Sequence, residues 1–465
     1  MRIILADLRS KQGYVVKDTV VGGYGSRLSS FSRTTKLYCY FKRNFHQVPS
    51  VQMATLAGIL AEAGHSVIYT SGRLLEGDVA IVLSSLVDYR NEIQWADAAR
   101  EKGIRVGFVG LAASKLPQLF QDHADFVIQG EPEAAILRLA AGATLQGLTP
   151  SPAIDDLDSI PHARFDLVQK PPDLWQSIGL TDKLGGGSFS LMSSRSCPEF
   201  CTYCPHRIQA SYRARSVKNI VDELEALCER FPQPYVVFRD PLFSFQRDRC
   251  LHLADEIQFR KLKLHFECET RLDRLDKDLL QKLHAAGLRR INFGVESVSP
   301  EILRKVARTP IAPAHAKAMI ETCRQMEIGT VAFYILGFLT DTWNSISATI
   351  EYSIALDTTY AQFKLLTPYP GTPLWKQMEP LVYEKDWEKF NGFTPTFHHP
   401  QLKAEELSFL LGAAFARFYM RPSFLANAWR LNNPMVQRFA RKLDHKANEV
   451  HTRKEISVMA RPIAC

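Results

Sequence analysis

The chain has 465 residues, of which 46% are hydrophobic and 23% are charged. This length and composition predict a soluble enzyme of two or three domains, because they are ample for more than one apolar core. They exclude a membrane-spanning protein, since no apolar run approaches the roughly 20 residues that cross a bilayer. The first apolar stretch ends at Asp7 and is too short for a signal peptide, so we expect a cytoplasmic protein.

Basic residues are concentrated at the two ends of the chain. Residues 1–43 hold nine Lys or Arg and two Asp or Glu, and residues 421–465 hold nine and three. Solvated surface explains each end most simply, and a peripheral contact with an anionic membrane stays open as an alternative. We expect no nucleic-acid partner.

The first 145 residues alternate short apolar runs with helical patterns, which is typical of a doubly wound, Rossmann-like α/β domain. The segment 9–48 does not fit this alternation and is a long basic insertion. The predicted strands are 2–6, 66–70, 78–83, 104–109 and 125–128, and the predicted helices are 51–63, 90–102, 114–121 and 132–141.

Three further regions follow the first domain. Residues 146–183 are rich in Pro and Asp and predict a linker over the surface. Residues 184–380 show a second βα alternation that predicts a partial, six-unit parallel barrel, and residues 381–465 predict a C-terminal helical domain. The predicted barrel strands are 188–193, 235–239, 264–268, 291–295, 331–336 and 361–365.

Three closely spaced cysteines, Cys197, Cys201 and Cys204, follow the first barrel strand. Their spacing suits three thiolates on one iron-sulfur cubane, which leaves one iron open for an external ligand. Nine cysteines in total, at irregular spacing, favour a reducing compartment over a disulfide framework. The alternative is a zinc knuckle with His206 as fourth ligand, in a zinc-binding or electron-transfer interaction protein.

Polar residues also stand near the ends of the later barrel strands, where the βα loops of a parallel barrel open. Salt bridges around the rim would explain any one of them, but a ring of them beside a cluster loop predicts an active site. These residues are Arg239, Asp240, Glu269, Arg271, Glu296, Ser297 and Gly337.

These motifs resemble those of radical S-adenosylmethionine (SAM) enzymes with an N-terminal cobalamin-binding-like domain, a group of methyltransferases and anaerobic cyclases. Besides the cysteines, the resemblance rests on three segments, Cys268–Asp273, Ile291–Ser297 and Thr367–Leu374. It implies a [4Fe-4S] cluster that cleaves SAM. It also implies a small-molecule substrate and a reducing partner such as a flavodoxin or ferredoxin.

The resemblance assigns residues to each cofactor. Tyr203 is expected near the adenine of SAM, Glu296 and Ser297 at the ribose, and Arg271 at the carboxylate. Gly337 would border the adenine, and Glu269 would lie in the same site. The cobalamin residues would follow three strands of the first domain and are Ser84, Ser85, Leu86, Gly110, Gly130 and Glu131.

Two departures concern cobalamin. The chain has no Asp-x-His-x-x-Gly motif, and Leu111 stands where the group has a second glycine. Despite these departures, cobalamin-dependent methylation of an unactivated carbon in a small biosynthetic substrate is the leading hypothesis. Radical cyclisation or rearrangement, with a vestigial cobalamin domain, is the alternative.

Overall fold

The computed structural model describes residues 1–10, 13–18, 20–28, 48–168 and 187–424, and every structural statement below refers to these. Cys39, Cys465 and most of the two basic ends lie outside the described residues, as does nearly all of the second half of the predicted linker.

The described residues contain sixteen strands and thirteen α-helices, joined by loops and short 3-10 turns. The strands are β1 (Arg2–Ala6), β2 (Tyr14–Val16), β3 (Ser26–Leu28), β4 (Ser66–Thr70), β5 (Val79–Leu83), β6 (Arg105–Val109), β7 (Phe126–Gly130), β8 (Gly147–Ser151), β9 (Ser188–Leu191), β10 (Ser194–Arg195), β11 (Arg213–Ala214), β12 (Tyr235–Phe238), β13 (His265–Thr270), β14 (Leu288–Glu296), β15 (Gly329–Leu336) and β16 (Tyr360–Leu365). The helices are α1 (Val51–Glu62), α2 (Tyr89–Glu101), α3 (Leu111–Lys115), α4 (Glu133–Ala140), α5 (Phe165–Val168), α6 (Val217–Arg230), α7 (Arg247–Phe259), α8 (Lys277–Ala285), α9 (Pro300–Lys305), α10 (Pro313–Gln325), α11 (Trp343–Leu356), α12 (Pro373–Met378) and α13 (Ala404–Tyr419).

The first sheet is parallel, with the strand order β4-β1-β5-β6-β7-β8. Helices α1 and α4 cover one face, and α2 and α3 pack in the separate core of the other face. The predicted doubly wound domain is thereby confirmed. The strand order reverses between β1 and β5, and ligands of open α/β sheets bind at the carboxyl edge near such a reversal.

Two details of this domain differ from the predictions. Strand β8 lies within the predicted linker and pairs with β7, so the sheet extends past residue 145. The predicted helix 114–121 is wrong. Helix α3 ends at Lys115, and 3-10 turns follow it, because Pro117 lacks a backbone donor and disfavours helical backbone at the residue before it.

The inserted segment forms an antiparallel hairpin of β2 and β3 over the carboxyl edge of the first sheet. Lys17 forms a fully buried ion pair with Glu92 at 2.7 Å. Arg27 pairs with Asp88 at 2.6 Å, on the side of the same edge. The predicted insertion is therefore an ordered part of this edge over its described residues.

The second sheet is also parallel, and its strand order follows the chain, β9-β12-β13-β14-β15-β16. The predicted partial barrel is confirmed. Among the described strands, β9 and β16 do not pair with each other, so the barrel stays open on one side.

Helix α13 covers the outer strand of the open barrel. Phe415 and Phe418 pack edge-on against Phe363 of β16. The hydroxyl of Tyr419 accepts a hydrogen bond from the amide of Ala361 at 3.2 Å and donates one to its carbonyl at 2.6 Å. No helix among the described residues has the length and apolar character needed to cross a membrane.

A matched pair of glycine substitutions tests the packing at the carboxyl edge. Gly130 has a φ of 114°, and a Cβ there would lie 2.1 Å from the carbonyl oxygen of Ser151. Gly142 has a similar φ of 95° but nothing within 4 Å. We expect Gly142→Ala to cost about 1 kcal/mol of left-handed strain and Gly130→Ala about 2 to 4 kcal/mol, because overpacking adds to the strain. Urea denaturation measures both, and equal losses would contradict this account.

Candidate active site

The cysteine loop begins directly after β9 and is fixed at its start by Asp240. This buried carboxylate accepts hydrogen bonds from the amide and hydroxyl of Ser193, at 3.0 and 2.7 Å, and from the hydroxyl of Ser194. Asp240 follows β12, the neighbouring strand. A residue at the carboxyl end of β12 therefore fixes the cysteine loop, which begins after the neighbouring strand β9.

The loop is closed on itself between residues 196 and 210. Strands β10 and β11 pair antiparallel and bring its two ends together. The hydroxyl of Ser196 donates within reach of the carbonyls of Ala210 at 2.7 Å and His206 at 3.1 Å. Ser196 itself has a φ of 64°, an uncommon conformation for serine that turns the chain sharply before the first cysteine.

The three cysteines are half-buried, and they lie near enough to one another for their thiols to interact electrostatically. Burial raises the pKa of Cys197 to about 11, and burial followed by the neighbouring thiols raises the pKa of Cys204 well above its usual range. Buried thiols of this kind need a metal or a positive charge to become thiolates. The guanidinium of Arg308 lies 3.8 Å from the sulfur of Cys201.

Three thiols of this spacing are the donors that a cubane with one open iron would take. In the described part of the chain, no three His, Cys, Asp or Glu side chains converge as the ligands of one ion would. Thiolates of a cubane each bind a different iron and therefore stand farther apart. His206 is half-buried, and desolvation of its ring lowers its pKa to about 4.

Glu296 ends β14 and lies beside the cysteine loop. Its carboxylate is 3.4 Å from the guanidinium of Arg308, which also donates to the carbonyl of Gly294. Burial raises the pKa of Glu296, while Arg308 and the hydroxyl of Tyr203 oppose that rise. A Cβ at Gly294 would overlap Glu296, so the glycine leaves room for this pair.

Three other residues that were predicted to contact SAM, Tyr203, Ser297 and Gly337, also lie in loops at the carboxyl ends of barrel strands. The ring of Tyr203 packs edge-on against Phe338, at 5.7 Å between centroids. Phe338 follows Gly337, which has a φ of 85°. The backbone amide of Gly337 donates a hydrogen bond to the carboxylate of Asp341, and the chain turns there after β15. Ser297 is buried, and its hydroxyl accepts a hydrogen bond from the amide of residue 299.

Arg271 is held rigidly just after β13. It forms a two-point contact with Asp273, at 2.9 and 2.8 Å, and donates to the carbonyl of Thr309 at 2.9 Å. Its Nη1 is buried and has no hydrogen-bond partner among the described residues. One oriented donor is thus left for a ligand.

Two charged groups face each other inside the barrel. Burial raises the pKa of Glu269 to about 7, opposed by Arg239, which lies 3.9 Å away and also contacts Asp18 at 3.2 Å. Burial lowers the pKa of Lys364 on β16 to about 8, opposed by Glu269 and Glu296. The ammonium of Lys364 contacts the hydroxyl of Ser26 in the inserted hairpin at 3.4 Å.

Sequence reasoning missed Arg308 and Lys364. Arg308 follows the Ile291–Ser297 motif by several residues, and only its contact with Cys201, 107 positions away, reveals its place. Lys364 is a charged residue within the predicted barrel strand 361–365, and a charge at such a position is typical of an inward-facing functional group.

The residues predicted to bind cobalamin lie at the carboxyl edge of the first sheet, but their groups are bonded within the chain. The hydroxyl of Ser84 donates to the carbonyl of Val109 at 2.7 Å and accepts from an amide of α3. Ser85 donates to Glu92 from its amide and hydroxyl. The amide of Leu86 donates to Tyr24 at 2.9 Å.

The remaining predicted residues contact other parts of the chain. The amide of Gly130 donates to the hydroxyl of Ser114 at 2.9 Å, so this donor is already used within the chain. Glu131 pairs with Arg213 and, at 3.5 Å, with Arg195, so its carboxylate faces the barrel. Gly110, with a φ of 107°, begins α3.

The turn Val20–Gly23 lies between this edge and the cysteine loop. A Cβ at Gly23 would stand 3.4 Å from Leu111, and one at Gly22 would stand 2.9 Å from Pro205. Leu111 is buried in the core beside Tyr24. The turn therefore covers part of the edge at which a ligand of the first sheet would bind.

Comparisons with known proteins agree with this geometry. Residues 191–353 match the family model of the Radical SAM superfamily. An uncharacterized methyltransferase of Pyrococcus horikoshii is 27% identical over 312 residues, 66% of each chain. The bacteriochlorophyllide d C-12(1)-methyltransferase of Chlorobaculum tepidum is 23% identical, over 71% of this chain and 72% of its own length. An anaerobic magnesium-protoporphyrin IX monomethyl ester cyclase of Cereibacter sphaeroides is 26% identical, over 60% and 45%.

Two solved structures share the fold. The radical SAM methyltransferase TsrM of Kitasatospora setae, with cobalamin and a [4Fe-4S] cluster bound, matches with a TM-score of 0.57, 17% identity and 81% and 77% coverage of this chain and its own. The cobalamin-dependent radical SAM enzyme OxsB, with aqua-cobalamin and SAM bound, matches with a TM-score of 0.62, 13% identity and 97% and 71% coverage.

The cysteine loop lies within residues 191–353, the part of the chain that matches the Radical SAM superfamily. The two solved structures extend the likeness of fold to the N-terminal domain, since they cover 81% and 97% of the chain, and the resemblance that the sequence motifs predicted is confirmed.

Cluster assembly gives a direct test of the cysteine loop. We expect Cys197→Ala, Cys201→Ala and Cys204→Ala each to lose the cluster, because two thiolates leave half of a cubane unprotected. Cys228→Ala, a half-buried cysteine on α6, serves as the control and should keep it. Iron and sulfide analysis after anaerobic reconstitution measures the outcome. Wild-type iron content in Cys201→Ala would contradict the assignment.

Proposed function

We propose that this protein cleaves SAM with a [4Fe-4S] cluster and, with cobalamin, methylates an unactivated carbon of a small biosynthetic substrate. The observation that carries the proposal is the contact between the predicted cobalamin edge of the first sheet and the cysteine loop of the barrel. The carboxyl edge of the first sheet packs on the cysteine loop, with Glu131 paired to Arg213 and the carbonyl of Gly130 accepting from Gln209 at 3.3 Å. A cofactor of the first domain would therefore stand beside SAM.

Cys197, Cys201 and Cys204 would hold the cluster and leave one iron open. When bound, the cluster supplies the electron that breaks a carbon-sulfur bond of SAM and produces a deoxyadenosyl radical. The chain's own residues bind and orient SAM. The unpartnered Nη1 of Arg271 would donate to its carboxylate, and Glu296 would accept from its ribose hydroxyls.

Cobalamin would occupy the carboxyl edge of the first sheet. When bound, it supplies the methyl group that the substrate receives. The turn Val20–Gly23, which lies between Leu111 and Pro205, would border it. Parallel sheets of this strand order bind their ligands at this edge, which supports the position.

Radical cyclisation or rearrangement is the second candidate. It is favoured by the same covered edge, where Ser85, Leu86 and Leu111 are bonded or packed within the chain. That function needs SAM but no corrin. In either case a small reducing protein would supply electrons in a reducing compartment, for which we propose the cytoplasm.

Substitution of Glu296 tests the SAM site. Charge-assisted hydrogen bonds contribute about 1.5 to 3 kcal/mol, so Glu296→Gln should weaken SAM binding roughly ten- to a hundredfold. The exposed Glu301→Gln on the following helix is the matched control and should bind normally. Calorimetric titration of cluster-loaded protein gives both affinities. An unchanged affinity of Glu296→Gln would remove this residue from the site.

Corrin binding separates the two candidate functions. Protein loaded with hydroxocobalamin should retain about one corrin per chain through gel filtration, since a large buried ligand leaves slowly. Amides of the described residues of the hairpin should then exchange hydrogen faster, because a ligand at this edge would displace the turn that covers it. If the protein cleaves SAM but retains no corrin, and hairpin exchange is unchanged, cyclisation or rearrangement replaces methylation.

A further inference from the structure

Phe200 is an exposed aromatic residue within the cysteine loop itself. It is 67% exposed and directly precedes Cys201. The guanidinium carbon of Arg207 lies 3.7 Å from the centroid of its ring. Arg207 also donates to the carbonyls of Cys197 and Pro198, at 3.4 and 3.1 Å. The ring is thus presented to solvent by the same loop that carries the cysteines.

Further cationic side chains stand beside the loop that carries this ring. Arg274 contacts Glu199 of the loop at 3.3 Å. Arg304 and Lys305 are exposed at the end of α9, and the next residue accepts a backbone hydrogen bond from Thr202 at 3.0 Å. Lys305 is also 3.4 Å from an exposed glutamate, Glu301.

We call this set the Phe200 surface and define it as Phe200, Arg207, Arg274, Arg304 and Lys305. Its four cations exceed the three nearby carboxylates, Glu199, Asp273 and Glu301, of which Asp273 is already paired with Arg271. The surface therefore carries a net positive charge around one exposed aromatic ring. Such a combination is typical of interfaces in which an aromatic anchor gives affinity and charge guides the partner.

We propose that the Phe200 surface docks an acidic one-electron carrier protein that reduces the cluster. The inference rests on the proposed radical SAM function and adds the place of electron entry. One electron leaves the reduced carrier, which is oxidised, and enters the cluster; no bond forms or breaks in this step. The cysteine loop is both the holder of the cluster and the docked surface, so the path between carrier and cluster is short.

The experiment compares two electron donors in anaerobic SAM cleavage without substrate. One donor is a flavodoxin kept reduced by its reductase and NADPH, and the other is dithionite, which needs no docking surface. The variants are Phe200→Ala and the double substitution Arg304→Glu with Lys305→Glu. We expect the flavodoxin KM for deoxyadenosine formation to rise roughly tenfold or more in each variant, with the dithionite rate unchanged.

Matched controls come from the opposite end of the barrel. Phe259 is 81% exposed at the end of α7, and Lys263 is exposed in the loop before β13. Phe259→Ala and Lys263→Glu should leave both donors unaffected. Added salt should also raise the flavodoxin KM of the wild type, since exposed charges are screened.

The outcomes are distinct. A wild-type flavodoxin KM in both surface variants would overturn the docking proposal. Equal losses with both donors would also overturn it, because the residues would then support the cluster loop rather than a carrier. Failure of the wild type to cleave SAM with dithionite would instead refute the proposed function.

Discussion

The structure depends on the ion pairs that join the two parallel sheets at Arg195. This side chain lies two residues before the first cysteine and reaches Glu133 at 2.7 Å and Glu131 at 3.5 Å, both just beyond β7 of the first sheet. Arg213, on the paired strand of the loop, contacts Glu131 as well. All four side chains are largely buried, so loss of one partner would leave an uncompensated charge at a cost of about 3 to 5 kcal/mol. The position of the cysteine loop is therefore set from the first domain as well as from the barrel.

The polar interior of the barrel follows from this placement. Once the loop is fixed, Arg308 can neutralise Glu296 while standing beside Cys201, and a hydroxyl from Tyr203 completes the group. Burial of so many charges is tolerated because each has a partner of opposite sign or an oriented hydrogen bond. Arg271 retains one buried donor without a partner among the described residues, and an arrangement of this kind is pre-organised for an anionic ligand.

Local patterns predicted most of the fold, because each βα unit has its own alternation of apolar residues and its own turn signals. The edge strand β8 was not predicted, because its Pro150 is typical of a turn. An edge strand tolerates proline where a central strand does not. The cysteine motif predicted the cluster loop, and Glu296 was predicted beside it. The contact of Glu131 with Arg195 and that of Arg308 with Cys201 could not be predicted, because they join residues that are 64 and 107 positions apart. Nor does a motif reveal that Leu111 is covered by the inserted turn.

Tyr419 affects whether the edge strand β16 of the open barrel can pair with a strand of another chain. An incomplete barrel exposes the backbone of its last strand, and such an edge can recruit a strand from another chain. The hydroxyl of Tyr419 occupies both the amide and the carbonyl of Ala361 on that strand. A foreign strand cannot pair at this register without expelling the tyrosine and the aromatic packing of α13. The barrel can thus stay open without presenting a free edge here for self-association.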